Sequence, residues 1–283
     1  MAGTVADALA AARRLGVERR DALALITHHT GRGHGQLLAH PDAPLAPDAA
    51  AALTAALQRC ADGEPLAYLL GEQGFHGLLL RITPAVLVPR PDTETLVDWA
   101  LELLAGPLAD RPAPHVVDLG TGSGAIALAV ARGCTRAQVH ALDRSADALA
   151  VARANGDRLG LPVSWWLGDW WQALPADTQG VLRFDLALSN PPYIAPGDPH
   201  LPALRHEPRQ ALVPPGTTGL EALEAVIAGA PAHLAAGGWL LLEHGHDQAD
   251  AVAAMLVAHG LVDIAHRRDL GGHRRCTGGC WRD

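Results

Sequence analysis

Two hydrophobic periodicities divide the chain. Over roughly the first 72 residues, apolar side chains recur at helical spacing, as at Val5, Leu9 and Ala12 and, less regularly, at Leu23, Leu25 and Ile26. Ala49 to Cys60 reads as a further Ala/Leu helix, and Pro41, Pro44 and Pro47 break the chain before it. Residues 73–91 change character. Gly74, Gly77 and Pro84 punctuate two β-rich pieces, Phe75–Ile82 and Ala85–Val88, which predict a hairpin linker. A helix is expected from about Thr93 to Leu104, with Asp92 or Thr93 as its N-cap. From Pro114 onward strands and helices alternate. Strands are expected at His115–Leu119, Gln138–Leu142, Val163–Leu167, Phe184–Ser189, Trp239–Glu243 and Val262–His266. Helices are expected at Ala125–Arg132, Ala146–Leu159, Leu220–Leu234 and Gln248–His259. This alternation predicts an α/β fold with a doubly wound, mostly parallel sheet, to which Arg274–Trp281 would add an antiparallel strand. The expected layout is a helical domain over 1–72, the linker over 73–91 and an α/β domain over 92–283.

Composition acts mainly by exclusion. A 283-residue chain that is 49% hydrophobic can bury a sizeable core. The formal net charge is -8, and all 22 basic residues are arginine. That balance lacks the basic footprint of a general duplex-binding protein, so no stable nucleic-acid partner is expected. No stretch reaches the ~18 apolar residues of a membrane span, and no charged-then-apolar leader opens the chain. Four scattered cysteines do not make a disulfide framework. Together these features predict a cytoplasmic protein, taken as a monomer. No metal is expected. His28, His29, His34 and His40 fall on different turns, and Cys276 and Cys280, with His273 nearby, lack a second ligand pair.

Candidate chemistry gathers where strands end. Asp118-Leu119-Gly120-Thr121-Gly122-Ser123-Gly124 leaves the first α/β strand and opens a helix. Glycines there let backbone approach a ligand, and the helix N-terminus offers free N–H groups. Asp143 ends the second strand; it can accept from both hydroxyls of a ribose, or cap the helix that begins near Ser145. Asp169-Trp170 closes the third. Asp169 could accept from an adenine amino group and Trp170 could pack on the base, although Trp165, Trp166 and Trp171 nearby make core packing a competitor. Asn190-Pro191-Pro192-Tyr193 follows the fourth strand. Two prolines fix φ and remove two donors, leaving an amide, a carbonyl and an aromatic ring in a rigid corner. Such a corner suits a planar NH2 group; the alternative is a proline-rich turn. Glu243-His244 ends another strand and reads as packing near the site.

This constellation resembles the class I S-adenosylmethionine-dependent methyltransferases, a Rossmann-like fold, in their amino-group-methylating branch. Pro89-Arg90-Pro91-Asp92-Thr93-Glu94, the glycine loop continued through Leu128, Ser189 to Ile194, and Leu241-Leu242-Glu243-His244-Gly245 narrow it further. They are similar to the protein-(glutamine-N5) methyltransferases of peptide chain release factors, the PrmC/HemK family. Arg205-His206-Glu207-Pro208 and the helical N-terminal module agree, whereas the basic His273-Arg274-Arg275 stretch departs from the pattern. The resemblance implies that Gly120, Thr121, Gly122, Ser123 and Gly124 line the methionine part of S-adenosyl-L-methionine. It implies that Asp143 holds the ribose, and Asp169 with Trp170 the adenine. Asn190, also beside the cofactor, and the Pro191 carbonyl would accept the two N–H groups of a substrate glutamine, with Pro192 completing the corner and Tyr193 packing on the amide plane. The product would be S-adenosyl-L-homocysteine, the partner a class I release factor, and the helical domain its docking module. A ribosomal-protein glutamine and an adenine N6 remain alternative acceptors. A nicotinamide dehydrogenase would leave the Asn190 corner without a role, and an inactive binding module would not need all four strand ends intact.

Overall fold

The structure is a computed structural model that describes residues 3–174, 176, 177 and 180–282. It divides into two compact units, Met1–Glu72 and Gln73–Asp283. The first is helical: α1 (Val5–Arg14), α2 (Arg19–Thr30), α3 (His34–Ala39), α4 (Pro47–Ala61) and α5 (Leu66–Leu70). Thr4 and Asp7 form a reciprocal capping box that starts α1. Pro47 starts α4, where its missing N–H costs nothing. Val5, Ala8, Leu25, Ile26, Leu53 and Leu57 form the centre of this unit's core.

A two-stranded hairpin, β1 (Glu72–Phe75) and β2 (Leu78–Arg81), comes next. Phe75–Ile82 is not one continuous strand. His76 and Gly77 both take positive φ, 45° and 72°, which turns the chain back after Phe75. Ala85–Val88 is not a strand either. Pro84 and Pro89 bracket it, and the Val88 N–H donates to the Glu207 carboxylate at 3.1 Å rather than to a ladder. Helix α6 (Glu94–Ala105) begins after a single 3-10 turn at Pro91–Thr93. Thr93 holds the N-cap position but makes no side-chain cap bond; its hydroxyl is engaged elsewhere.

Apart from short 3-10 turns and a pair of two-residue strands, the remaining elements are β3 (His115–Leu119), α7 (Ala125–Gly133), β4 (Gln138–Asp143), α8 (Ala146–Leu159), β5 (Ser164–Leu167), β6 (Phe184–Ser189), α9 (Glu221–His233), β7 (Leu234–Glu243), α10 (Ala249–Ala258), β8 (Leu261–Arg268) and β9 (Arg274–Trp281). They build a seven-stranded sheet in the order β8-β9-β7-β6-β3-β4-β5. The five strands from β7 to β5 run parallel. β9 pairs antiparallel with both β7 and β8. All six residues of β6 are buried, as a central parallel strand covered on both faces requires. β7 begins five residues before Trp239, carrying Gly237 and Gly238 within it. A register irregularity between Phe184 and Leu186 accommodates this early part. Strand order reverses at β3, so the crevice beside β3 and β6 opens at the carboxyl edge.

The hairpin is tied to the α/β core by one buried side chain. Asn155 of α8 is 0% exposed. Its Oδ1 accepts from Arg81 N–H at 2.7 Å, and its Nδ2 donates to the carbonyls of Arg81 and Ser123, each at 3.0 Å. Asn155→Ala should therefore lower stability by about 2–3 kcal/mol, because buried backbone groups lose partners that water cannot replace. Urea denaturation followed by circular dichroism checks this; a change under about 0.5 kcal/mol would count against the tie.

Candidate active site

At the carboxyl edge of the sheet lies a cavity of about 910 Å³. The ends of β3, β4, β5 and β6 line it through Gly120 to Ser123, Asp143, Gly168 to Trp170, and Asn190 with Pro192. Thr93 and the 85–89 segment contribute another side, and residues from Pro208 to Pro215 a third. Gly124, Pro191 and Tyr193 are not part of the lining themselves, but each is next in sequence to a residue that is.

The glycine loop is held from below. Gly120 and Thr121 donate their N–H groups to the Leu142 carbonyl at 3.0 and 2.8 Å, pinning the loop to β4. At Gly122, φ is +56° and the place of a Cβ is empty out to 4 Å, so bare backbone faces the space. Gly124 serves packing: a Cβ there would stand 3.1 Å from Leu128 Cδ1 and 3.3 Å from Trp165 Cη2. Beneath the loop, Asp118 is 0% exposed. Its Oδ2 accepts from the Thr121 hydroxyl at 2.6 Å and the Ala127 N–H at 3.2 Å, while Oδ1 has no partner. Burial outweighs these bonds and pushes the carboxyl up to about 7.

Asp143 lines the cavity at the end of β4. Its Oδ2 accepts from Gly122 N–H at 2.9 Å and its Oδ1 from Ser145 N–H at 2.8 Å. Each oxygen keeps a second lone pair. The cap of α8 is Ser145, whose hydroxyl accepts from Ala148 N–H, so capping does not account for Asp143. Burial raises its pKa against those two bonds. Asp169 is exposed, and Trp170 is half-buried with φ at +44°. The Trp170 ring comes within 3.3 Å of where a Cβ on Gly120 would stand. The other tryptophans pack: Trp165 lies against Gly124 and Gly156, and Trp171 donates to the Val226 carbonyl at 2.8 Å and stacks on His233.

The Asn190 corner is joined to β3 by the Ser189 hydroxyl, which donates to the Leu119 carbonyl at 2.6 Å. Asn190 Nδ2 donates to Thr93 Oγ1 at 3.2 Å. With Nδ2 engaged there, Oδ1 is the amide's available acceptor. The Tyr193 hydroxyl turns to Glu243, donating to Oε1 at 3.3 Å. Glu243 is 1% exposed, and burial pushes its carboxyl up to about 7. Thr93 and Glu243 thus stand behind the corner, a role that their sequence readings as a cap and a packing residue did not include. Two motifs also find each other: Arg90 forms an ion pair with buried Glu207, joining the segment before α6 to the loop that borders the cavity. The basic stretch near the end is neutralised within its own unit. Arg274 pairs with Asp250 at 2.7 Å, and Arg275 with Asp269 at 3.3 Å and Asp92 at 3.9 Å. Cys276 and Cys280 are free and buried in β9. Among the described residues no group of three or more His, Cys, Asp or Glu could hold a metal ion, and no helix is long and apolar enough to cross a membrane.

The PrmC N-terminal domain family matches residues 4–71, and the methyltransferase small domain family matches residues 93–216. The release factor glutamine methyltransferase of Bordetella pertussis is 50% identical over 266 residues, covering 93% of this chain and 95% of that one. This chain belongs to the release factor glutamine methyltransferase family. The Xylella fastidiosa (strain Temecula1) member is 47% identical over 275 residues, 96% of each chain. Among solved structures, a methyltransferase from Pyrococcus furiosus shares the fold, with a TM-score of 0.51 at 18% identity over 73% of this chain and 90% of that one. The fold is therefore the Rossmann-like one of class I methyltransferases. The span matched by the methyltransferase small domain includes Thr93, the glycine loop, Asp143 and the Asn190 corner, whereas Glu243 lies beyond it.

The buried acid under the loop leaves a mark on stability. Asp118 holds its proton up to about pH 7 in the fold, whereas an ordinary carboxyl ionises near 3.8. Between those values the unfolded chain binds fewer protons, so this group's contribution falls as pH rises from about 4 to about 7. Asp118→Asn should remove that part of the slope. Urea midpoints at pH 5 and pH 7 should then differ less in the variant than in the wild type; equal differences would mean that Asp118 is ionised throughout.

Proposed function

We propose that the chain transfers a methyl group from S-adenosyl-L-methionine to the side-chain amide nitrogen of the glutamine in the Gly-Gly-Gln loop of class I release factors. The observation that carries this reading is the orientation of Asn190, whose Nδ2 is bound by Thr93 at 3.2 Å so that Oδ1 is left to accept. Family membership supports the acceptor class, and the cavity supports the cofactor. Its bare Gly122 backbone, the spare lone pairs of Asp143 and the ring of Trp170 fit an adenosyl group with a polar amino-acid tail. The four free cysteines support a reducing, cytoplasmic setting.

When bound, the cofactor supplies a methyl group made electrophilic by its sulfonium. The residues supply position and charge. Gly120 to Ser123 would hold the methionine part, Asp143 the ribose, and Asp169 with Trp170 the adenine. An amide nitrogen is a weak nucleophile because its lone pair is delocalised, and its proton is too tightly held for an ordinary base. Asn190 Oδ1 and the Pro191 carbonyl would accept its two N–H groups, fix its direction and stabilise the positive charge that grows on it. The Pro191-Pro192 pair keeps these acceptors rigid, and Tyr193 would flank the amide. The proton leaves late, to water, so no histidine or glutamate acts as general base.

Tryptic peptides of a release factor treated with the enzyme and cofactor should gain one methyl on that glutamine; label on nucleic acid instead would sink the reading. Asn190→Ala should lower kcat on the order of 10²-fold or more with little change in cofactor affinity. Asp143→Ala should show the reverse, a loss led by weaker cofactor binding in titration calorimetry. Near-normal turnover of Asn190→Ala would remove Asn190 from this role.

The helical unit would supply selection. A glutamine in a flexible loop offers little surface, so contacts elsewhere must separate the right protein from others. Residues 1–72 carry no glycine loop or paired acids, and we assign them docking of the release factor. Chain lacking them, once shown to fold and bind cofactor, should methylate a short peptide as before and lose its preference for the intact factor. Unchanged efficiency on both substrates would give the unit another purpose.

A further inference from the structure

One buried acid at the Asn190 corner has no task in the chemistry above. Glu243 closes β7, accepts from the Tyr193 hydroxyl through Oε1 and keeps Oε2 without a hydrogen-bond partner. Thr93 is 4% exposed, and its side chain favours the charged form of Glu243. The same Thr93 oxygen receives Asn190 Nδ2. A hydroxyl has one proton. With Asn190 donating to the oxygen, that proton is free to point at the carboxylate, whose open oxygen needs a donor. An ionised carboxylate only accepts. The arrangement favours one direction: Tyr193 donates to Glu243, the Thr93 proton is left to turn toward Glu243, Asn190 donates to Thr93, and Asn190 presents its oxygen. A neutral carboxyl or a carboxamide at position 243 carries a donor and can turn Thr93 round. Thr93 would then donate to Asn190 Oδ1, and the corner would present an NH2 group to an incoming NH2 group.

We propose that Glu243 is a positioning residue that, acting through Thr93, sets which end of the Asn190 amide meets the substrate. The inference rests on the reading of Asn190 as the acceptor for the substrate amide. Glu243 touches neither substrate nor cofactor in this role. The groups facing it are Tyr193 after β6, Asp92 and Thr93 before α6, and Arg275 and Cys276 on β9. Burial, aided by Asp92, outweighs Thr93, Arg275 and Tyr193, and holds the carboxyl up to about 7. The accepting orientation is therefore complete above that pH and is lost as pH falls through it.

The test is steady-state methylation of an intact release factor between pH 5.5 and 8.5, at saturating cofactor. Wild-type kcat should fall as the solution is acidified through about pH 7. Glu243→Gln, near in shape, should lower kcat on the order of 10²-fold, leave the dissociation constant of S-adenosylmethionine within about threefold, and lose the limb near pH 7. Asp118 ionises in the same range, so only a limb that Glu243→Gln abolishes belongs to Glu243. Thr93→Val keeps the shape and removes the hydroxyl, and it should lose kcat to a similar extent, whereas Thr93→Ser should restore it to within about threefold of wild type. Should Glu243→Gln fail to fold by thermal denaturation, the Thr93 pair decides alone. Wild-type kcat in Thr93→Val, or an unchanged acid limb in Glu243→Gln, would overturn the link while leaving the acceptor role of Asn190 intact. Wild-type enzyme that leaves the glutamine unmethylated would overturn the functional reading and this inference with it.

Discussion

Parallel pairing of β5, β4, β3, β6 and β7 makes all five strands end on one edge of the sheet. Everything in the candidate site depends on this. Backbone hydrogen bonds fix the register, so Leu119 lies beside Ser189 on one side and Leu142 on the other. The residues that follow are then neighbours although up to about 70 positions separate them in the chain. Gly120, Asp143 and Asn190 arrive at one cavity because their strands stop together. Cross-links at that edge reduce the freedom left over. Leu142 takes two N–H groups from the glycine loop, Ser189 bonds Leu119, and Gly168 N–H reaches the Asp143 carbonyl at 3.1 Å.

Behind the edge the molecule buries polar groups that a purely structural core would avoid. Asp118 and Glu243 each lie within the fold with one oxygen lacking a partner. Burying an acid favours its neutral form, and both carboxyls are pushed up accordingly. Each stands one layer behind a residue that lines the cavity: Asp118 binds the Thr121 hydroxyl, and Glu243 lies beside Thr93. One strained residue also belongs to this edge, while His76 and Asp263 take positive φ elsewhere. Trp170, with positive φ, is at the cavity and close to Gly120. Such features lower stability locally and hold lining groups in single orientations.

Much of the fold was legible because its signals are local. A buried parallel strand needs a continuous apolar run, and Phe184–Ser189 has one. A Gly-rich turn between strand and helix is visible without any tertiary knowledge, as is an Asn followed by two prolines. Arg274–Trp281 also forms the antiparallel strand expected of it. Illegible features were those decided by partners distant in sequence. Phe75–Ile82 has strand composition for the most part, but His76, whose N–H donates to Glu94 18 positions on, and Gly77 turn left-handed and reverse it. Ala85–Val88 has strand composition too, yet its backbone is claimed by Glu207, 119 positions away from Val88. Tryptophans at 165, 166, 170 and 171 are alike on paper. Only the packing separates Trp170 on the cavity from Trp171 in the core.

By itself, then, the chain's order of residues determined the elements, the parallel sheet and the set of chemical groups at each strand end, because period, turn chemistry and propensity act over a few residues. Tertiary structure decided how those groups are turned. Thr93 has the composition of a helix cap but spends its hydroxyl on Asn190. Glu243 ends a strand like any other residue until Tyr193 and Thr93 are folded against it. Arg90 and Glu207 belong to separate motifs until the chain brings them together. The direction of a hydrogen bond depends on both of its ends, and here those ends meet only in the folded molecule.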